Sequence, residues 1–189
     1  MPQLAAFCRQ VRSRSNEHNR AMQLMACAGI VGQMVAILRQ ELDSMVRVIY
    51  LLDQSHERRD MLIEQSVKGE RWNKEKSRGH VTDRDMVDLA EKLHGWTRSV
   101  YKFGCAFIHL SDLHDYNDRD PIKALCENDR QGILDHCRHY HQGPATNDPE
   151  LADFVPLLPD ILAKISSNLE CYLKDLEEGR VAVEADDRP

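Results

Sequence analysis

Residues 21–52, AMQLMACAGIVGQMVAILRQELDSMVRVIYLL, decide the fold class. Their apolar residues fall on two columns spaced by seven. Ala21, Ala28, Val35, Leu42 and Ile49 make one, and Leu24, Val31, Leu38, Met45 and Leu52 the other. Such a heptad is a helix period, whereas a half-buried strand alternates with period two. No proline interrupts the run, so it predicts one continuous helix or two nearly collinear ones, about 45–50 Å long at 1.5 Å per residue. Ala28 and Gly32 form a small pair four apart, which would let a second helix approach closely, and Gly29 and Gly32 read as packing positions inside the helix. Ala21 to Leu38 is also free of charge and flanked by Arg20 and Arg39. That length is near the minimum for a bilayer span. Gln23, Gln33 and the two glycines inside it, and a pattern that runs on past Arg39, favour a buried core helix and no membrane.

Working outward, Pro2 to Arg14 predicts a short first helix, with Ser15 or Asn16 capping the next. Ser66 to His80 is polar and reads as a loop or a frayed helix end. Thr82-Asp83-Arg84-Asp85 is a capping-box variant. It opens a second heptad run, Met86, Leu89, Leu93, Trp96, Val100, Phe103, Phe107 and Leu110, which predicts a long helix from Asp83 to Tyr116. Asp120 and Pro121 then start a helical segment that reaches His141 and can break near Glu127. Gln142-Gly143-Pro144 stops it. A last helix, Pro159 to Glu178, puts Ile161, Ile165, Leu169, Tyr172 and Leu176 on one stripe. No strand pattern occurs. The expected fold is all-α: an up-and-down bundle of four to five main helices, two of them long and heptad-patterned. It forms one domain over residues 1–179, followed by an acidic, disordered tail at 180–189.

Composition narrows the function classes. The chain has 189 residues, 42% hydrophobic and 30% charged, enough to bury a core without disulfides or a structural metal. A net charge of −6 argues against a protein that coats nucleic acid, although Arg9, Arg12, Arg14 and Arg20 make a local basic cluster. The six cysteines are scattered without a CxxC, and Arg9 and Arg12 interrupt any signal-peptide pattern. Reduced thiols in a cytoplasmic protein are expected.

The densest chemistry lies between Tyr101 and Tyr116. On a helix, Phe103, Phe107, Leu110 and His114 share an apolar face, while Arg98, Lys102, Cys105, His109, Asp112 and Tyr116 form a second stripe. His109 can act as a general acid or base near neutral pH, or can be a surface histidine bonded to Asp112. His114 can share that chemistry or donate to a carbonyl from a core column. Arg98 and Lys102 make a solvated face or bind phosphate. Elsewhere, His136, Cys137, His139 and His141 cluster, with Cys126 upstream. His136 and His139 could share a metal, but further ligands would have to come from other elements, so no metal is assigned. No phosphate-binding Gly-rich loop, nucleophile elbow or HExxH occurs, and no cofactor is expected.

The stretch His109-Leu-Ser-Asp-Leu-His114-Asp-Tyr116 resembles the signature of the HEPN superfamily of helical bundles. Its ribonuclease members carry an Arg, a spacer and a His, and in the toxin branch a Tyr lies two residues beyond. His114 and Tyr116 match that His and Tyr, whereas His109 stands where the family has Arg. Arg98, Lys102 or Arg119 would have to supply the missing cation. The resemblance implies a core over about residues 18–178 and a homodimer whose sites are composite. It also implies RNA binding or metal-independent RNA cleavage, in bacterial defence or a toxin–antitoxin pair, with His109, His114 and Tyr116 as catalytic candidates and Arg98, Lys102, Asp112 and Arg119 holding substrate. The alternative is a non-catalytic helical protein that binds a protein partner and whose histidines are structural.

Overall fold

The computed structural model describes residues 2–75, 78–109, 111, 114–115 and 118–180, apart from the Ala106 side chain. The chain is all-α, and 74% of the described residues are helical. The helices are α1 (Pro2–Ala28), α2 (Val31–Leu52), α3 (His56–Val67), α4 (Asp83–His94), α5 (Thr97–Ile108) and α6 (Glu127–His141), then a short α7 (Leu151–Phe154), a 3-10 turn (Val155–Leu157) and α8 (Leu158–Glu177). Among the described residues there is no strand, only an isolated antiparallel bridge between Asn73 and His80.

The decisive stretch is helical but not collinear. α1 runs on through Ser15 and Asn16 without a cap and stops at Gly29, whose φ is +68°. Gly29 N–H donates to Ala26 O at 3.2 Å and Ile30 N–H to Met25 O at 2.9 Å, the 6→1 closure of a glycine-terminated helix. The chain then folds back. Ser15 and His18 of α1 meet Glu41 of α2, and Arg14 reaches Ser44, so α1 and α2 are an antiparallel hairpin. This corrects both expected arrangements, the single long helix and the nearly collinear pair. Val35, Leu38, Leu42, Met45, Ile49 and Leu52 are buried on α2, but Leu24 of the same column is 67% exposed. Ala28 and Gly32 flank the reversal and form no shared stripe on one helix. The uncharged run Ala21 to Leu38 is split at the same place. Among the described residues no helix is long and apolar enough to cross a membrane.

The second predicted long helix is also two. Thr82 caps α4 through its capping box with Asp85, as its spacing predicts. Lys74 and Thr82 together hold the Asp85 carboxyl down at about 2. α4 ends at Gly95, again left-handed at φ +68°, and α5 ends at Ile108. Asp120 caps a turn, accepting from the N–H groups of Ile122 and Lys123, and α6 begins only at Glu127. α8 keeps the expected stripe, with Ile165, Leu169, Tyr172 and Leu176 buried. The acidic tail from residue 181 lies outside the described residues.

α2 is the central helix, packed against α1, α4, α5 and α8. Met34, Leu42, Met45, Val46, Val48 and Leu51 on it are fully buried. Each such side chain contributes about 1.5–3 kcal/mol by leaving water. The last carbonyls of α2 would be orphaned in this interior. Buried Arg59 of α3 satisfies them, donating to Leu51 O at 2.9 Å and Leu52 O at 3.0 Å. The polar segment after α3 is anchored by Trp72. Its Nε1–H bonds Leu62 O at 2.8 Å, and its ring stacks on Tyr50. All six cysteines are free thiols.

Candidate functional site

The helix α5, on which the stripe from Arg98 was predicted to run to Tyr116, ends at Ile108. Arg98 sits in the first turn of α5 and pairs with Asp88 of α4 at 2.9 Å. Lys102, one turn on, pairs with Asp129 of α6. Both side chains remain more than half exposed. His109 is the C-cap of α5. Its backbone is extended, its N–H bonds Cys105 O at 3.1 Å, and the residue is exposed. His114 is exposed as well, which corrects its placement in a core column. Its Nδ1 accepts from the Ser111 N–H at 3.2 Å, and its ring lies 5.9 Å from Phe107. In the neutral imidazole that bond leaves the proton on Nε2. Arg119 is exposed in the following turn, its N–H bonded to Asp115 O at 2.8 Å. Asp112 and Tyr116 lie outside the described residues. The structure therefore keeps Arg98 and Lys102 on α5 and leaves His109 and His114 exposed beyond its end.

Behind α5 lies a cation that the sequence reading missed. Arg39 of α2 is only 3% exposed. Its guanidinium stacks 4.1 Å from the Tyr101 ring centre, donates to Cys105 Sγ at 3.4 Å and pairs with Asp43 and Asp83. Burial pushes its pKa down, but the Asp43 hydrogen bond and charge more than offset this and hold it above the ordinary value. Gly104 makes room for it: a Cβ there would lie 2.6 Å from Arg39 Cβ. Arg39 is thus committed to joining α2 and α5, not to a ligand at the surface.

A second buried polar cluster joins α1, α2 and α8. Glu41 is fully buried. One carboxylate oxygen is 2.6 Å from His18 Nδ1, and the other accepts from Ser15 at 2.5 Å and Ser166 at 2.8 Å. Burial alone would raise this carboxyl, but the bonds from His18, Ser15 and Ser166 win and hold it below the usual range. Both hydroxyls donate to the carboxylate and not to the imidazole. No nucleophile is activated by this arrangement, and its role is to tie three helices together.

Another group, His94, His136 and His141, gathers where α4, α6 and α8 meet. His94 Nε2 is 2.9 Å from the Tyr172 hydroxyl. The His136 ring contacts Trp96, Tyr140 and His141, with centroids 4.7–5.9 Å apart. Burial above all, with repulsion from Lys164 and from the neighbouring imidazoles, pushes His136 down to about 4, so it is a neutral imidazole at physiological pH. Cys137 is buried, its thiol pushed up to about 11. The histidines that could have been read as metal ligands are thus interleaved with aromatic rings. Among the described residues no group of three or more His, Cys, Asp or Glu is arranged to hold a metal ion. The spacing of His136 and Tyr140 places both on one face of α6, but their joining with Trp96 across the Gly95 turn has no signature in the sequence. No family model matches this chain, and no curated protein or solved structure shows a significant match to it.

Proposed function

We propose that this is a HEPN-type helical-bundle protein that contacts RNA through the segment from the end of α5 to Arg119. The observation that carries the reading is the exposure of both imidazoles of the signature-like stretch, His109 and His114, just beyond a helix that bears exposed Arg98 and Lys102. The carboxylate pairs of Arg98 and Lys102 are solvent-exposed, and such pairs contribute only about 0–1 kcal/mol. A phosphate can therefore replace Asp88 or Asp129 as partner at little cost.

Cleavage at this surface would follow acid–base chemistry. One imidazole would take the proton of a ribose 2′-hydroxyl as its oxygen attacks the adjacent phosphorus. The P–O5′ bond would break, and the other imidazole would return a proton to the leaving oxygen. Charge on the phosphorane calls for a fixed cation, and His109 stands where the family has Arg. Loss of one preorganised donor costs about 10²–10³ in rate. RNA binding with weak or no cleavage is thus the reading this composition supports. In the family it resembles, each site is shared by two protomers, and the same is proposed here.

The test uses His109→Ala and His114→Ala. Each is assayed for RNA cleavage with EDTA present and for RNA binding at fixed salt. Chelator-resistant cleavage lost in either variant makes the protein an enzyme. Binding without cleavage, weakened in Lys102→Ala together with a shallower salt dependence, supports the degenerate site. A parent protein that neither binds nor cuts RNA of any form overturns the reading in favour of a protein-binding bundle with structural histidines.

A further inference from the structure

An apolar opening lies not on the histidine segment but on the other side of α5. It is a cleft of about 160 Å³ between α2, α5, α6 and the start of α8. Its walls are almost wholly apolar, with Val35 and Leu38 from α2, Val100 and Phe103 from α5, and Ile133 and Phe154 closing it. A volume of about 150 Å³ is enough to hold a benzene-sized guest. A second, polar recess adjoins it and shares Trp96, His136 and Ile161 with it. That recess is lined by His94, Tyr140, His141, Lys164 and Asn168, and no Asp or Glu is among its described lining residues.

From this juxtaposition we infer that the cleft binds a small amphipathic carboxylate, its benzene-sized apolar body between α2 and α5 and its carboxylate beside Lys164. An apolar cleft beside a polar recess favours a guest with one apolar and one polar end. The sign of the polar end follows from Lys164, the recess's permanent charge, in a protein of net charge −6. Asn168, one turn on along α8, and the imidazoles of His136 and His141 add neutral donors. The charge on Lys164, an exposed side chain at the rim of the recess, also disfavours a cationic head, because like charges repel. Asp160, one turn before Lys164 on α8, acts on His141 but does not line the recess. The proposal does not depend on the RNA reading, since none of these residues belongs to the segment from His109 to Arg119.

The experiment compares 4-methylbenzoate, 4-methylbenzyl alcohol and 4-methylbenzylamine by calorimetry and by the fluorescence of Trp96, the tryptophan in the cleft. Trp72 is buried elsewhere and serves as a constant background. The benzoate is expected to bind at least about tenfold tighter than the alcohol at pH 7, with the amine weakest, each tenfold corresponding to about 1.4 kcal/mol. Lys164→Ala should bring acid and alcohol within about twofold of each other. Gly132→Leu should abolish binding of all three. Gly132 lines the cleft on α6, a Cβ there meets nothing within 4 Å, and leucine favours helix over glycine, so this variant fills the opening without unfolding the chain. Equal affinity for acid and amine, unchanged binding in Gly132→Leu, or no binding of any probe at millimolar concentration would each overturn the proposal.

Discussion

A single histidine illustrates how burial converts into a pH response. His136 is half-buried and its pKa is pushed from 6.5 to about 4. In the unfolded chain it titrates near the ordinary value. Between about pH 6.5 and 4 the unfolded state therefore binds a proton that the folded state does not, and stability falls as pH falls through that window. Partial exposure tempers the effect to the order of 2 kcal/mol. Urea titrations at pH 7 and pH 5 should show this loss in the parent and a smaller one in His136→Gln. An equal loss in both proteins would remove His136 as its source. Glu41 acts at lower pH. Its carboxyl is held below the usual range, so its contribution is present above the unfolded value and is lost only as pH falls through the depressed folded one. Gly104 carries a second prediction. A Cβ would collide with Arg39 Cβ, the stem of a side chain pinned by Asp43, Cys105 and Tyr101. Gly104→Ala should cost about 1–3 kcal/mol in urea unfolding, as overpacking does, despite alanine's better helix propensity. A neutral or stabilising outcome would mean that α2 and α5 separate freely. Neither His136 nor Gly104 announces its role in the sequence, because each depends on a partner that lies far away along the chain.

At the scale of elements, helix type was readable and helix direction was not. The heptads of residues 21–52 report that each segment has an apolar face. A helix that reverses can keep the same seven-residue spacing by coincidence, and here the apolar columns continue across Gly29 without forming one surface. Leu24 shows the failure, standing in column and yet mostly exposed. Gly29 and Gly95 were the available signals, because each sits between two helical runs and left-handed backbone favours glycine. By contrast, the start of α4 was readable, since a cap depends on neighbours only three residues apart. Thr82→Ala should destabilise the protein by about 1 kcal/mol, the usual worth of an N-cap. Gly95→Ala should cost about 1–2 kcal/mol, all of it conformational, because an added Cβ meets nothing within 4 Å. Differential scanning calorimetry of the two variants checks both. If Gly95→Ala were as stable as the parent, the turn between α4 and α5 would not need its left-handed residue.

At the scale of the molecule, the bundle and its apolar content could be read directly, whereas the candidate site could be read only in part. Arg98 and Lys102 share a face of α5 because they lie one helical turn apart. His109 and His114 leave that face because α5 stops at Ile108, a boundary with no proline or glycine to mark it. What they do together is proposed to depend on a second protomer. Ala28 and Gly32 no longer motivate a dimer, since they belong to different helices. The motive that remains is the composite site of the family this segment resembles, beside an exposed Ile108 next to His109. Light scattering at tens of micromolar should give about twice the 21.8 kDa of one chain, as a symmetric dimer requires. A mixing experiment asks whether the sites are shared. Suppose each site takes His109 from one protomer and His114 from the other. Every site in a His109→Ala dimer and in a His114→Ala dimer then lacks one imidazole. In the mixed dimer one site lacks both and the other is intact. Random exchange makes half the dimers mixed, so about a quarter of parental RNA binding or cleavage should return on mixing. Recovery below a few per cent, with exchange verified by mass spectrometry, would place both imidazoles of each site on one protomer. A mass of one chain at these concentrations would exclude the composite site outright, while leaving RNA contact by the single protomer to be judged on its own binding data.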